Sequence, residues 1–267
     1  MKKGIYEKIA LENQNVMLTG ASGHLGRELV KTLADLNANI IMVDKPSTEF
    51  SEFYKHVKNN VSPKALHFEC DFENQDSRLT LIKQIKSEFS QIHVLINNAA
   101  FVGTSDLEGW SSKFGDQSLE SWNRALEVNL TSVFDLVQGL LPVFNNSSTV
   151  SIVNIASIYG LRSPDWRLYE GTSLGNPAAY AVSKGGLLQL TRWLATTLPN
   201  HIRVNAIAPG GILRNQSEEF VSKYSNETAL GRMATEDDLL GAIVFLCTNM
   251  SSYVTGQIIQ VDGGWKI

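Results

Sequence analysis

Two cysteines, Cys70 and Cys247, are all that 267 residues contain, and they lie far apart in apolar contexts. That excludes a disulfide framework and predicts buried free thiols in a reducing, cytoplasmic compartment. Metal-ligand spacing is missing too. No cluster of His, Cys, Asp or Glu has the separations a structural or catalytic metal needs, so no metal is expected. Positive charge is not in excess, the formal net charge being −4, which argues against nucleic acid as a partner. No apolar run approaches the length of a membrane span. Lys2 and Lys3 are not followed by the apolar stretch of a secretory leader. Internal repeats, low-complexity segments and interdomain linkers are lacking as well. What is present is a chain with 43% hydrophobic residues. It is long enough to bury a sizeable core as one domain over 1–267.

Seven short runs rich in β-branched residues punctuate that chain, at 15–19, 39–43, 65–69, 93–97, 149–155, 202–208 and 257–261. Segments of helical period lie between them, for instance 24–36 and 79–89. Near-continuous apolar strands that alternate with helices predict a seven-stranded parallel sheet covered on both faces. Right-handed crossovers then make a doubly wound, Rossmann-type α/β fold the economical topology. The longest irregular stretches, 101–117 and 161–177, each follow the carboxyl end of a strand. That is the ligand side of such a sheet.

The first strand runs directly into TGASGHLG, Thr19 to Gly26. A turn placed there aims the free N–H groups and positive end of the next helix at whatever lies above the strand, which suits an anion. Gly20 permits the turn, Gly23 lets backbone approach a pyrophosphate, and Gly26 lets the helix lie close. Ser22, His24 and Leu25 complete the loop, with His24 as the first helical residue. Asp44 ends the second strand 18 positions past Gly26, where a carboxylate would meet an adenosine ribose. Lys45 follows it. Asp71 and Phe72 close the third strand, where the adenine edge would lie. Together these features predict a dinucleotide site.

Five further stretches, read in order, resemble the short-chain dehydrogenase/reductase family: LINNAA (95–100), LEVNLTSVF (126–134), SIVNIASIYG (151–160), YAVSK (180–184) and IRVNAIAPGGI (202–212). The resemblance continues through 230–264 and covers nearly the whole chain. It implies an oxidoreductase that moves a hydride between a nicotinamide cofactor and a secondary alcohol or ketone. It further implies that Asn97, Asn98, Ala99 and Ala100 support the adenosine side, and that Pro209, Gly210 and Ile212 lie against the nicotinamide. Ser157, Tyr180, Lys184 and Asn129 take the catalytic positions. A second Tyr-x-x-x-Lys pair, Tyr54 and Lys58, has the same spacing but no serine strand before it, and reads as structural.

The chemistry suits those residue types. A free tyrosine has a pKa near 10. At i and i+4 on a helix, Lys184 comes to the same face as Tyr180, where a cation would favour the phenolate. Ser157 would polarise the substrate carbonyl. Asn129 would hold a relay water beside Lys184, or satisfy backbone at a helix kink, or both. Asp44 accepting both ribose hydroxyls would favour NAD over NADP.

The chain departs from the family in four places. Its glycine register is that of the longer sugar-nucleotide-modifying branch. Ala100 stands for a glycine and Arg214 for a threonine. Ser157 and Tyr180 are 23 positions apart, more than is usual. The extra loop, with DWRLYEGT at 165–172, resembles short-chain enzymes of bacterial surface-sugar and flagellin-modification pathways. Arg162, Trp166, Arg167 and Arg214 are therefore expected to meet a polar, carbohydrate-like substrate. Apolar helix faces at 119–141 and 178–198 predict a homodimer or homotetramer. Two other readings stay open: a sugar dehydratase or epimerase that retains NAD, and a non-catalytic nucleotide sensor. The chain's end just after the seventh strand speaks against the first, and the complete Ser, Tyr, Lys and Asn set against the second.

Overall fold

The computed structural model describes residues 4–102, 107–171 and 175–267. Parts of both long loops, 103–106 and 172–174, lie outside the described residues. The strands are β1 Asn15–Thr19, β2 Asn39–Asp44, β3 Leu66–Glu69, β4 Val94–Asn97, β5 Val150–Ile155, β6 Ile202–Pro209 and β7 Ile258–Val261. They form one parallel sheet in the order β3-β2-β1-β4-β5-β6-β7. The order reverses between β1 and β4, which opens a crevice above their carboxyl ends.

The helices are α1 Ile5–Ile9, α2 His24–Asp35, α3 Thr48–Asn60, α4 Gln75–Glu88, α5 Leu119–Leu126, α6 Ser132–Asn145, α7 Ala178–Thr197, α8 Glu218–Asn226 and α9 Asp237–Cys247. Strand side chains alternate between the faces. Val16 and Leu18 pack with α2, α3 and α9, through Leu29, Phe50 and Leu239 among others. Met17 faces the other way, into a core shared with α4, α6 and α7 that includes Leu81, Leu140 and Leu187. Each fully buried aliphatic side chain of this kind contributes roughly 1.5–3 kcal/mol. Among the described residues, no helix is long and apolar enough to cross a membrane.

Two elements differ from the sequence reading. The stretch 119–141 is not one regular helix, because a π turn at Glu127–Thr131 separates α5 from α6 and carries Asn129. One widened turn of this type re-aims the side chains around it, and such turns are frequent at functional sites. The segment holding Tyr54 and Lys58, which reads as polar and solvated, is α3, and its Phe50, Phe53 and Val57 are buried. Tyr54 stacks on His67 with ring centroids 4.0 Å apart, and its hydroxyl donates to the Ala65 carbonyl at 3.4 Å. That pair is structural. Cys70 and Cys247 are buried free thiols, and burial pushes them up to about 11 and about 12.

Candidate active site

The carboxyl ends of the strands open onto a cleft of about 950 Å³. One end is built by the glycine turn. Gly20 takes φ +65°, and a Cβ on Gly26 would fall 2.1 Å from the Gly20 carbonyl oxygen. Only glycine fits either position. A Cβ on Gly23 would meet nothing closer than 3.4 Å, so the loop stays open on the side from which a phosphate would approach. Gly23 is also the N-cap of α2, with no side-chain cap and no acidic residue in the first turn. The amides and positive dipole end of α2 therefore remain available to an anion. Among the residues expected around a dinucleotide, Gly20, Ser22, Gly23, His24, Leu25, Asp44, Lys45, Asp71, Phe72, Asn98, Ala99, Ala100, Pro209, Gly210 and Ile212 line the cleft. Gly26 does not, because it supports the turn from below. These donors and this cradle fit a dinucleotide.

Asp44 is already engaged. Its Oδ2 accepts from the Ser22 amide and hydroxyl, both at 2.7 Å, and its Oδ1 from the Lys45 amide at 2.8 Å. Lys45 turns its ammonium to Asp71, 3.2 Å away. Asn98 donates to the Thr19 and Gly20 carbonyls at 3.0 and 2.9 Å, bracing the glycine turn. Asn97 is buried and donates to Asn154 at 2.8 Å. It ties β4 to β5 and does not line the cleft.

Ser157, Tyr180 and Lys184 meet at the other end. Ser157 caps a short 3₁₀ turn at Ile158–Gly160, its hydroxyl accepting from the Tyr159 amide at 3.2 Å. A Cβ on Gly160 would come within 2.7 Å of the Lys184 backbone, so this turn packs directly on α7. Lys184 is 2% exposed and donates from Nζ to the Ile155 carbonyl at 2.8 Å. Burial lowers its pKa to about 8. For Tyr180, burial raises the phenol above its ordinary value, opposed first by the Ser157 hydroxyl and then by the charge of Arg214. The i and i+4 spacing on α7 assigns an opposing charge to Lys184 as well. Here the ammonium donates to a carbonyl and stands over the Tyr180 ring, 5.8 Å from its centroid, and Arg214 adds a second cation.

Asn129 lies beneath this end, 1% exposed. Its Oδ1 accepts from the Phe101 amide at 2.7 Å, and its Nδ2 donates to the Phe101 carbonyl at 3.2 Å and to Ser183 Oγ at 3.0 Å. The side-chain amide is thus taken up by protein groups.

The expected substrate residues separate. Arg214 lines the cleft, and its guanidinium also pairs with Glu236 at 2.9 Å. Arg162 does not line it, since it reaches to the carboxyl-terminal segment and donates to the Trp265 and Lys266 carbonyls, both at 2.8 Å. Arg167 is drawn outward to Asp165 at 2.7 Å. Trp166 is exposed, its ring tilted against Tyr169 with centroids 5.8 Å apart. The roof over the reacting end is formed by Tyr169, on the loop expected to meet substrate, and by four side chains that the sequence does not single out, Tyr159, Phe220, Tyr224 and Met233. The Tyr159 and Tyr169 hydroxyls are 2.6 Å apart, and the Tyr224 hydroxyl accepts from the Gly211 amide at 2.6 Å. Tyr159 and Tyr169 lie far from Phe220 and Tyr224 in the sequence, and only the fold brings the four together.

Comparison with known proteins agrees with this geometry. The family model described as enoyl-(acyl carrier protein) reductase matches residues 20–266. The post-translational flagellin modification protein A of Campylobacter coli is 31% identical over 96% of this chain and all of its own length. A 2-dehydro-3-deoxy-D-gluconate 5-dehydrogenase of Pseudoalteromonas atlantica is 30% identical over 97% of this chain and 98% of its own. The crystal structure of a short chain dehydrogenase from Leptospira borgpetersenii with bound NAD+ superposes with a TM-score of 0.83. Its identity is 31%, and the match covers all of this chain and 97% of that one. A nucleotide turn on β1, a phenol and ammonium on one face of α7, and these similarities over the full length have one explanation. The chain belongs to the short-chain dehydrogenase/reductase family, whose members are NAD(P)-dependent oxidoreductases acting on CH–OH groups.

Proposed function

We propose that the chain interconverts a secondary alcohol and a ketone on a polar, carbohydrate-like substrate with NAD(H), and that Tyr180 passes the proton. The observation that carries this reading is the convergence of Ser157, Tyr180 and Lys184 at one end of a cleft whose other end is the glycine turn and Asp44. The cofactor, when bound, supplies or accepts the hydride. The remaining work falls to the chain. Ser157 donates a hydrogen bond to the substrate oxygen, where negative charge develops. Tyr180 gives its phenol proton to that oxygen, or takes one from it in the reverse direction. Lys184 would leave the Ile155 carbonyl to hold a cofactor ribose hydroxyl, and Arg214 and Lys184 together favour the phenolate. Asn129, with its amide occupied, acts as a brace under Tyr180 and Phe101.

Preference for NAD is supported by Asp44, whose carboxylate would repel a 2′-phosphate, and by Lys45, whose charge is drawn to Asp71. A polar substrate is supported by Arg214 and by the Tyr159 and Tyr169 hydroxyls in the same cleft. The sugar-acid and flagellin-modifying relatives point the same way. The matched family model suggests an acyl substrate instead, and Phe220 and Met233 offer it apolar contact. The test is kcat/KM with NADH on ketoses, keto sugar acids and their phosphates against acetoacetyl-CoA. The proposal expects a polyhydroxylated carbonyl to win and NADH to bind more tightly than NADPH. A winning acyl thioester would overturn the substrate class. Product formation with no net change in NADH would indicate a dehydratase or epimerase.

A further inference from the structure

Two arginines outside the reacting end join the far ends of the cleft. Arg78, in the first turn of α4, is 1% exposed. Its guanidinium donates to the Phe72 carbonyl at 2.6 Å, to Asp135 at 2.8 Å and to Glu127 at 2.5 Å. Phe72 lines the adenosine end, Glu127 opens the π turn that holds Asn129, and Asp135 lies on α6. Arg124, at the end of α5, grips Glu73 through two bonds of 2.8 and 3.1 Å and lies over the Phe101 ring at 4.7 Å. Phe101 is the residue whose amide and carbonyl Asn129 clamps. Asn129 in turn donates to Ser183, whose hydroxyl donates to the Tyr180 carbonyl at 2.9 Å.

We propose that Arg78 and Arg124 are positioning residues that fasten the adenosine-side loop 71–73 to the turn carrying Asn129, so that a ligand held by that loop steadies Phe101, Asn129 and Tyr180. An ion triad with a buried arginine and two partly exposed carboxylates is a poor device for stability alone, because desolvation of the guanidinium offsets much of its attraction. Its planar fork is better suited to fixing three segments relative to one another. Here those segments are a nucleotide loop, a π turn and α6. Arg124 performs the same task from the more exposed side, with one carboxylate and one ring. The inference rests on reading the cleft as a nicotinamide dinucleotide site.

Adenosine monophosphate, which occupies only the adenosine end, separates this coupling from catalysis. Hydrogen exchange is followed by mass spectrometry in wild-type protein and in Arg124→Gln, with binding of the same nucleotide measured by calorimetry. In the wild type, adenosine monophosphate is expected to slow exchange in 127–131, away from the adenosine end, at least fivefold. In Arg124→Gln the nucleotide should bind within threefold of wild type while that slowing disappears. The charge-reversed pair Glu73→Arg with Arg124→Glu should restore it. Arg78→Lys should behave like Arg124→Gln if it folds, and Arg124→Gln decides the matter if it does not. Slowing that persists in Arg124→Gln, or that is absent in a wild type shown to bind the nucleotide, would overturn the coupling alone. Failure of the wild type to bind adenosine monophosphate would sink the placement of the adenosine end, and the coupling with it.

Discussion

Lys184 is the residue whose environment asks most of it. Its folded pKa is about 8 against 10.5 in water. Below pH 8 the ammonium is charged in both folded and unfolded chains, and the folded one bears the full cost of burial. Between 8 and 10.5 the folded lysine is neutral while the unfolded one still holds its proton, so this group makes stability rise with pH. The shift corresponds to about 3 kcal/mol, less about 1 kcal/mol for the Ile155 carbonyl that a substitution would orphan. Lys184→Met is therefore expected to stabilise the free protein by about 2 kcal/mol at pH 7. The gain should fade towards pH 10.5 in urea titrations, while NADH binding and turnover are impaired at every pH. Asp44 invites a separate test. Asp44→Ala removes both the ribose acceptor and the repulsion of a 2′-phosphate, so calorimetry should show weaker NADH and stronger NADPH binding.

Elements explain what each arginine does. Arg162 ties the loop after Ser157 to the carboxyl-terminal segment, whose Trp265 is buried against Tyr224 with rings 5.6 Å apart. Arg162→Ala should lower Tm by several degrees, since charged hydrogen bonds to two carbonyls are lost. It should also raise the KM of the carbonyl substrate by loosening the roof. Arg214→Ala should raise that KM with little change in Tm, and neither variant should alter NADH affinity much. The strands were legible to within about one residue because their apolar period is a local signal. The glycine turn, Asp44 and the Tyr180 to Lys184 spacing are equally local. The directions of Arg162 and Arg167 were not legible, since a side chain in an irregular loop answers to partners such as Trp265, far along the chain. The π turn escaped for a related reason. Asn129 is held to Phe101 and Ser183 by hydrogen bonds that only the fold supplies, so the sequence allows a kink at Asn129 without fixing its form as a π turn.

At the scale of the molecule, large apolar side chains stay exposed on α5, α6 and α7. Leu119 is 78% exposed, Trp193 53%, Val182 49% and Phe134 41%, all on α5, α6 or α7, beyond what the sheet uses. Where such side chains gather on one surface they mark an association site. Light scattering at micromolar concentration should give a dimer or tetramer, and Trp193→Glu should shift it towards monomer. In the proposed reaction the cleft is built around one proton transfer by Tyr180, which Tyr180→Phe would remove. This substitution removes a single oxygen from a cleft left otherwise intact, and Tyr54→Phe provides the control at the same motif spacing. The measurement is the single-turnover rate of NADH oxidation by the best carbonyl substrate, read by cofactor fluorescence beside the NADH dissociation constant. Tyr180→Phe should lose roughly a thousandfold in rate, with NADH bound within threefold of wild type, and Tyr54→Phe should match the wild type. A Tyr180→Phe variant that keeps more than a tenth of the wild-type rate would rule out Tyr180 as the group that passes the proton.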